Sequence, residues 1–263
     1  MQNKDKAILS TFLEVFKSFQ LQPMPDISLQ YDPAATIFLT GLNDLFFNYV
    51  CIKNPLDQEQ LIIELRAIQK QYNIPLSVWI THETEIPEFE ILLKEHFESP
   101  GPFFGMLLDL EQAQTSVIPD NITLEIIENT QQAKEFSKIY CDVFNLNVPK
   151  ECEQWAIKQY ESDNPACINY IARIDGKIAG VSSLAINRTF KEFKTGGFYN
   201  ACVLPKFRNK GVATAMACHR IEVAKQMGLD NLSIVLMSDA MARGYCERLG
   251  FTNYKTMTPY FIR

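Results

Sequence analysis

The stretch Ala201-Cys202-Val203-Leu204-Pro205-Lys206-Phe207-Arg208-Asn209-Lys210-Gly211-Val212-Ala213-Thr214 leaves the chain little choice of local structure. A strand ends at Val203, and Pro205 opens a turn because its ring fixes φ and removes an N–H. A helix follows Gly211, with nothing bulky between Ala213 and Ala215. A helix start exposes unpaired N–H groups and a partial positive charge. Small residues there let a phosphate approach the backbone, and Arg208 and Lys210 add charge beside it. The loop suits a pyrophosphate. The bland alternative is an ordinary strand–turn–helix with a basic turn.

The elements around it alternate. Spacing predicts a strand at Thr123–Ile127, helices at Gln131–Phe144 and Glu151–Tyr160, and strands at Ile168–Ile174 and Lys177–Ile186 about Asp175-Gly176. That dipeptide is a strong hairpin signal because both residues tolerate positive φ. Further strands are expected at Gly197–Val203 and Leu232–Met237, and helices at Val212–Met227, stopped by Gly228, and Ala240–Leu249, stopped by Gly250. The chain is extended again from Phe251.

The first half predicts helices at Ile8–Phe19, Glu59–Tyr72 and Glu88–Phe97, with strands at Phe46–Ile52, Leu76–Ile80 and Met106–Leu110. Its last four elements repeat the order and lengths of those from Val212 onward. Either the halves are diverged copies of one fold, or this is the helix–strand alternation common to α/β chains. The polar stretch Glu111–Asn121 reads as the linker, dividing the chain into 1–115 and 116–263.

Composition narrows the function classes. A net charge of −6 argues against a nucleic-acid binder, which needs a basic footprint. No apolar run approaches the roughly 18 residues of a membrane span, and no secretory signal is evident. The seven cysteines form no CxxC pair, and the three histidines, His82, His96 and His219, form no HxH or HExxH spacing. Reduced thiols, a cytoplasmic location and no metal are therefore the expectation.

Two phosphate-binding alternatives fail on spacing. A P-loop needs Lys and Ser/Thr directly after its second glycine, but Val212 follows Gly211. A dinucleotide fingerprint needs GxGxxG, which is absent. Instead Arg208, Gly211 and Ala213, after a strand that ends at Val203 and is followed by Pro205, resemble the R/Q-x-x-G-x-G/A signature of the GNAT superfamily. Cys246–Phe251 (CERLGF) resembles that family's YxxxGF ending. The resemblance covers about 140 residues. It implies an α/β GNAT fold with a mixed sheet, the first half being a degenerate tandem copy without a phosphate loop, since Asn54–Gln60 hold no glycine.

The resemblance also implies a chemistry. Acetyl-CoA would be the co-substrate, its pantetheine pairing with the backbone of Ala201, Cys202 and Val203. Its pyrophosphate would lie on the amides of Asn209, Lys210, Gly211, Val212, Ala213 and Thr214, beside Arg208. A primary amine on a small molecule or peptide would attack the thioester directly, with the Val203 amide as oxyanion donor. The alternative is a non-catalytic acyl-CoA-binding or interaction module. No nucleic-acid or membrane partner is expected, and the protein would be a monomer or homodimer.

The general acid departs from the family pattern. Cys246 stands where the tyrosine belongs, and either is itself a weak acid or, the favoured reading, a small buried residue. Tyr245, about 100° away on the helix, is either the acid or a packing residue. No general base is apparent in Leu232–Met237. Asp239 is read as a helix cap, Tyr199 and Asn200 as candidate cleft residues, His219 as lying on a solvated face, and Trp79 as core.

Overall fold

The computed structural model describes residues 2–81, 87–188, 193–237 and 240–263. In chain order the first half holds α1 (Gln2–Ser18), β1 (Thr36–Phe38), β2 (Tyr49–Ile52), α2 (Gln58–Tyr72), β3 (Leu76–Thr81), α3 (Pro87–His96) and β4 (Phe103–Asp109). The second holds β5 (Ile122–Ile126), α4 (Thr130–Phe144), α5 (Pro149–Tyr160), β6 (Cys167–Ile174), β7 (Lys177–Ile186), β8 (Thr195–Val203), α6 (Val212–Gln226), β9 (Asn231–Met237), α7 (Ala240–Arg248) and β10 (Thr252–Ile262). The expected elements are present, their ends within three residues of expectation except for α1, which starts six residues before the expected Ile8. The short β1 was not anticipated, three residues being too few to show an alternation.

Local chemistry accounts for the boundaries. Asp175 and Gly176 turn β6 into β7 with φ of 50° and 74°, the two positive values that a tight hairpin requires. Asn129 caps α4 by accepting from the Gln132 amide. Gly228 and Gly250 follow α6 and α7 with φ of 70° and 99°. The residues from Glu111 to Asn121 form neither helix nor strand.

All described strands join one mixed sheet, ordered β1-β2-β3-β10-β4-β9-β8-β7-β6-β5. The order from β2 to β8 is a palindrome of roles. β2 and β3 pair in parallel, as do β8 and β9. Each half's last strand crosses into the other: β10 pairs antiparallel with β3, and β4 pairs antiparallel with β9. The strands β10 and β4 meet at the centre. This arrangement supports the two-copy reading over simple alternation.

Helix α1 crosses to the second half as well. It packs over β7, β8 and β9 on the face that α4 and α5 also cover. Phe19 stacks on Trp155 of α5 at 4.1 Å between ring centres, and Trp155 Nε1 donates to Ser18 Oγ at 2.8 Å. Phe12 meets Trp79 of β3 at 5.0 Å. Trp79 is therefore core, as its sequence suggests, at 1% exposed. Fully burying each such side chain contributes about 1.5–3 kcal/mol, so this layer welds the halves together. The opposite face of the second half carries α6 and α7, over Phe198, Leu232 and Phe251.

Candidate active site

The parallel pairing of β8 with β9 stops early. Thr195, Gly196 and Gly197 pair with Asn231, Leu232 and Ser233, and the strands pair no further. Beyond that point β8 keeps only its β7 neighbour, and a gap opens towards the C-terminal ends of both strands.

A bulge shapes the gap. Tyr199 opposes Ser183 and Cys202 opposes Val181, so Asn200 and Ala201 together oppose Ser182. Asn200 takes a φ of 52° to make the bend, and its side chain donates to Ser183 Oγ at 3.1 Å. The Leu204 amide donates to Ala179 of β7. Backbone alternation therefore turns the amide of Val203 away from β7, towards the gap. The sequence carries no local signal for this bulge.

At the end of β8 a 3₁₀ turn, Pro205–Phe207, leads to Arg208 and Asn209, the latter with a φ of 60°. Gly211 is the N-cap of α6, with a φ of 81° and no side-chain cap. The Ala215 amide reaches the Gly211 carbonyl, so the helix leaves the amides of Val212, Ala213 and Thr214 without an intrahelical partner. Arg208, Asn209, Lys210, Gly211 and Ala213 are exposed. Arg208 Nε lies 3.4 Å from the Val203 carbonyl, and the ammonium groups of Lys206 and Lys210 sit 5.0 and 5.6 Å from the Phe207 ring centre. The predicted anion residues thus converge on one open, positively charged helix mouth beside the gap.

The corresponding mouth of the first half is closed. The Asp57 carboxylate caps α2 by accepting from the Gln60 amide at 3.1 Å. Asp32 accepts from the amides of Lys53 and Asn54 at 2.8 and 3.1 Å. Two carboxylates occupy the amides that a phosphate would need.

Tyr245 lies in the crease between α7 and α6. Its hydroxyl donates to the Ala213 carbonyl at 2.8 Å, and burial raises its pKa while the Arg220 charge opposes that rise. Cys246 is 3% exposed among Phe198, Leu232 and Phe251, and burial pushes its thiol up to about 11. It is a packing residue at neutral pH. Asp239 lies outside the described residues, as does His82.

Two expectations need correction. His219 is not on a solvated face. It is half-buried with its ring 5.0 Å from that of Tyr170, and burial lowers its pKa. Tyr199 does not stand open in a cleft. It is 7% exposed, and its hydroxyl lies 3.5 Å from Thr11 Oγ1, which also bonds Ser233 Oγ. Gly197 makes room for that ring: a Cβ there would lie 2.9 Å from Tyr199 Cδ2 and 3.3 Å from Thr11 Cβ. Thr11 comes from α1, so the first half seals one side of the gap. Nothing in the sequence around Thr11 marked that contact.

Among the described residues no group of three His, Cys, Asp or Glu side chains could hold a metal, and no helix is long and apolar enough to cross a membrane. All seven cysteines are buried.

Residues 133–251 match the model of the acetyltransferase (GNAT) family. No curated protein matches the chain. Among solved structures, the chain is similar to a GCN5-related N-acetyltransferase from Kribbella flavida, at 11% identity and a TM-score of 0.68, over 97% of this chain and 94% of that one. A functionally unknown conserved protein from Staphylococcus epidermidis is 14% identical with a TM-score of 0.69, over 90% and 93% of the two chains. A tandem GNAT protein from the clavulanic acid biosynthesis pathway is 13% identical with a TM-score of 0.59, over 96% and 94%. At these identities the fold is what is shared.

Proposed function

We propose that this chain, whose residues 133–251 match the model of the acetyltransferase (GNAT) family, is an acetyl-CoA-dependent N-acetyltransferase acting on a primary amine. The observation that carries the reading is the uncapped, exposed mouth of α6 at Gly211 beside the gap between β8 and β9. Coenzyme A would lay its pyrophosphate on the amides of Asn209 to Thr214, with Arg208 and Lys210 adding charge, and its pantetheine along Ala201, Cys202 and Val203. The thioester then lies in the gap. The Val203 amide stabilises the oxyanion, and holding the two substrates in line supplies most of the acceleration. Tyr245 is the proton donor in the α6–α7 crease. The reaction belongs to the second half, 116–263, while the first supplies the wall formed by α1.

Calorimetric titration with acetyl-CoA tests this. Binding with micromolar affinity is expected. Gly211→Glu should abolish it, because it sets a carboxylate at the mouth on a residue whose φ of 81° disfavours any side chain. Unchanged binding by that variant refutes the site. Transfer to an amine panel separates an enzyme from a binding module.

A further inference from the structure

Arg220 of α6 is a charged side chain buried at 3% exposure. Among the described residues no carboxylate pairs with it. Its Nε donates to the Met216 carbonyl at 3.1 Å and its Nη1 to the Ser183 carbonyl at 3.0 Å. Its guanidinium carbon lies 3.8 Å from the centre of the Phe198 ring. Burying an ion costs several kcal/mol, and two carbonyls and a ring face are modest compensation. Two more polar groups in this layer are unmatched: Tyr170 Oη and Ser182 Oγ are buried with no hydrogen-bond partner among the described residues.

The position of the charge suggests its use. Phe198 is the first β8 residue beyond the last pair with β9. Ser183 pairs with Tyr199, directly before the bulge. The guanidinium therefore lies under the point where β8 leaves β9 and ties down the strand opposite the bulge. Tyr245 and Cys246 of α7 feel its charge.

We propose that Arg220 is a positioning residue that fixes the bulged segment of β8 and keeps an uncompensated positive charge beneath the sulfur of bound coenzyme A. This rests on the acyl-CoA reading above. In the transfer, the amine nitrogen bonds to the thioester carbon, the C–S bond breaks, and the sulfur leaves with the electron pair. Tyr245 protonates that thiolate and is reprotonated by water, which also takes the proton shed by nitrogen. A nearby cation favours the thiolate at the moment it forms.

The test compares coenzyme A with desulfo-coenzyme A, which lacks only the thiol, by calorimetry from about pH 7 to 9.5. Burial lowers the Arg220 guanidinium to about 10, so its charge is kept over the lower part of that window, where the thiol titrates, and the groups around it stay silent there. His219 on α6 has a lowered pKa and is already neutral. Tyr170 on β6 and Tyr245 are raised by burial, and Cys246 is pushed up to about 11. A thiol ordinarily titrates near pH 8.5, and each unit by which the cation lowers it is about tenfold in affinity. Wild-type protein is expected to favour coenzyme A over the desulfo form by about tenfold at high pH, with the rise centred below pH 8.5. Arg220→Lys should keep a rise, and Arg220→Met and Arg220→Gln should lose it. A merely structural role would shift the melting temperature but not this ratio. A flat ratio in wild type, or the same rise in Arg220→Met, overturns the inference even if no neutral variant folds. Wild-type protein that binds neither ligand overturns the acyl-CoA reading itself, and the inference with it.

Discussion

A hydroxyl that donates to a main-chain carbonyl is a proton held in a set direction. Tyr245 holds one against Ala213, at the first turn of the helix expected to carry the pyrophosphate. Burial raises its pKa, so the neutral form persists above the ordinary tyrosine value of about 10. As the proposed acid, Tyr245 should stay protonated throughout the working range and contribute no alkaline limb to the pH–rate profile below about pH 10. Tyr245→Phe should lower kcat about a hundredfold, the lower end of general acid catalysis, with the KM for acetyl-CoA nearly unchanged. It should also cost about 1 kcal/mol of stability for the lost hydrogen bond. Steady-state kinetics and urea unfolding measure the two effects separately. An unchanged kcat would assign the hydroxyl to packing alone.

The helices α2 and α6 are equivalent elements with opposite mouths. One is capped by Asp57 and shadowed by Asp32, and the other is open at Gly211. Asp57→Ala should therefore lower stability by about 1 kcal/mol, as loss of an N-cap does, and leave acetyl-CoA affinity unchanged. A change in affinity would mean that the first half takes part in cofactor binding. Such mouths are legible in sequence because they depend on contiguous residues: the glycine at 211, the small residues after it, and their absence from Asn54–Gln60. The Asp175-Gly176 hairpin was legible for the same reason. The bulge at Asn200 and Ala201 was not, because it arises from register against β7 rather than from any local turn chemistry. The burial of Arg220 was equally hidden. Helical spacing places it on α6, but only the packing of β7 and β8 beneath that helix shows which way it faces.

What the linear pattern could not reveal is the exchange at the centre of the sheet. A division at 1–115 and 116–263 follows from the linker, and each piece contains a plausible run of strands and helices. Yet β10 completes the first half's sheet between β3 and β4, and β4 borders β9 of the second. Pairing preferences of this kind are set by strands more than a hundred residues apart, each of which offers only four or five apolar side chains and no address. Helix α1 adds to the interdependence, since Phe12, Val15 and Phe19 share one apolar cluster with Ala133, Trp155 and Cys202. Separating the pieces would leave long strand edges unpaired, and such edges aggregate. Each half expressed alone should therefore be insoluble or should bind a hydrophobic dye strongly, whereas co-expression of 1–115 with 116–263 should yield a soluble pair that copurifies and binds acetyl-CoA. A second half that is soluble, cooperatively folded and cofactor-binding by itself would show that the crossing strands are a late docking contact rather than a condition of folding.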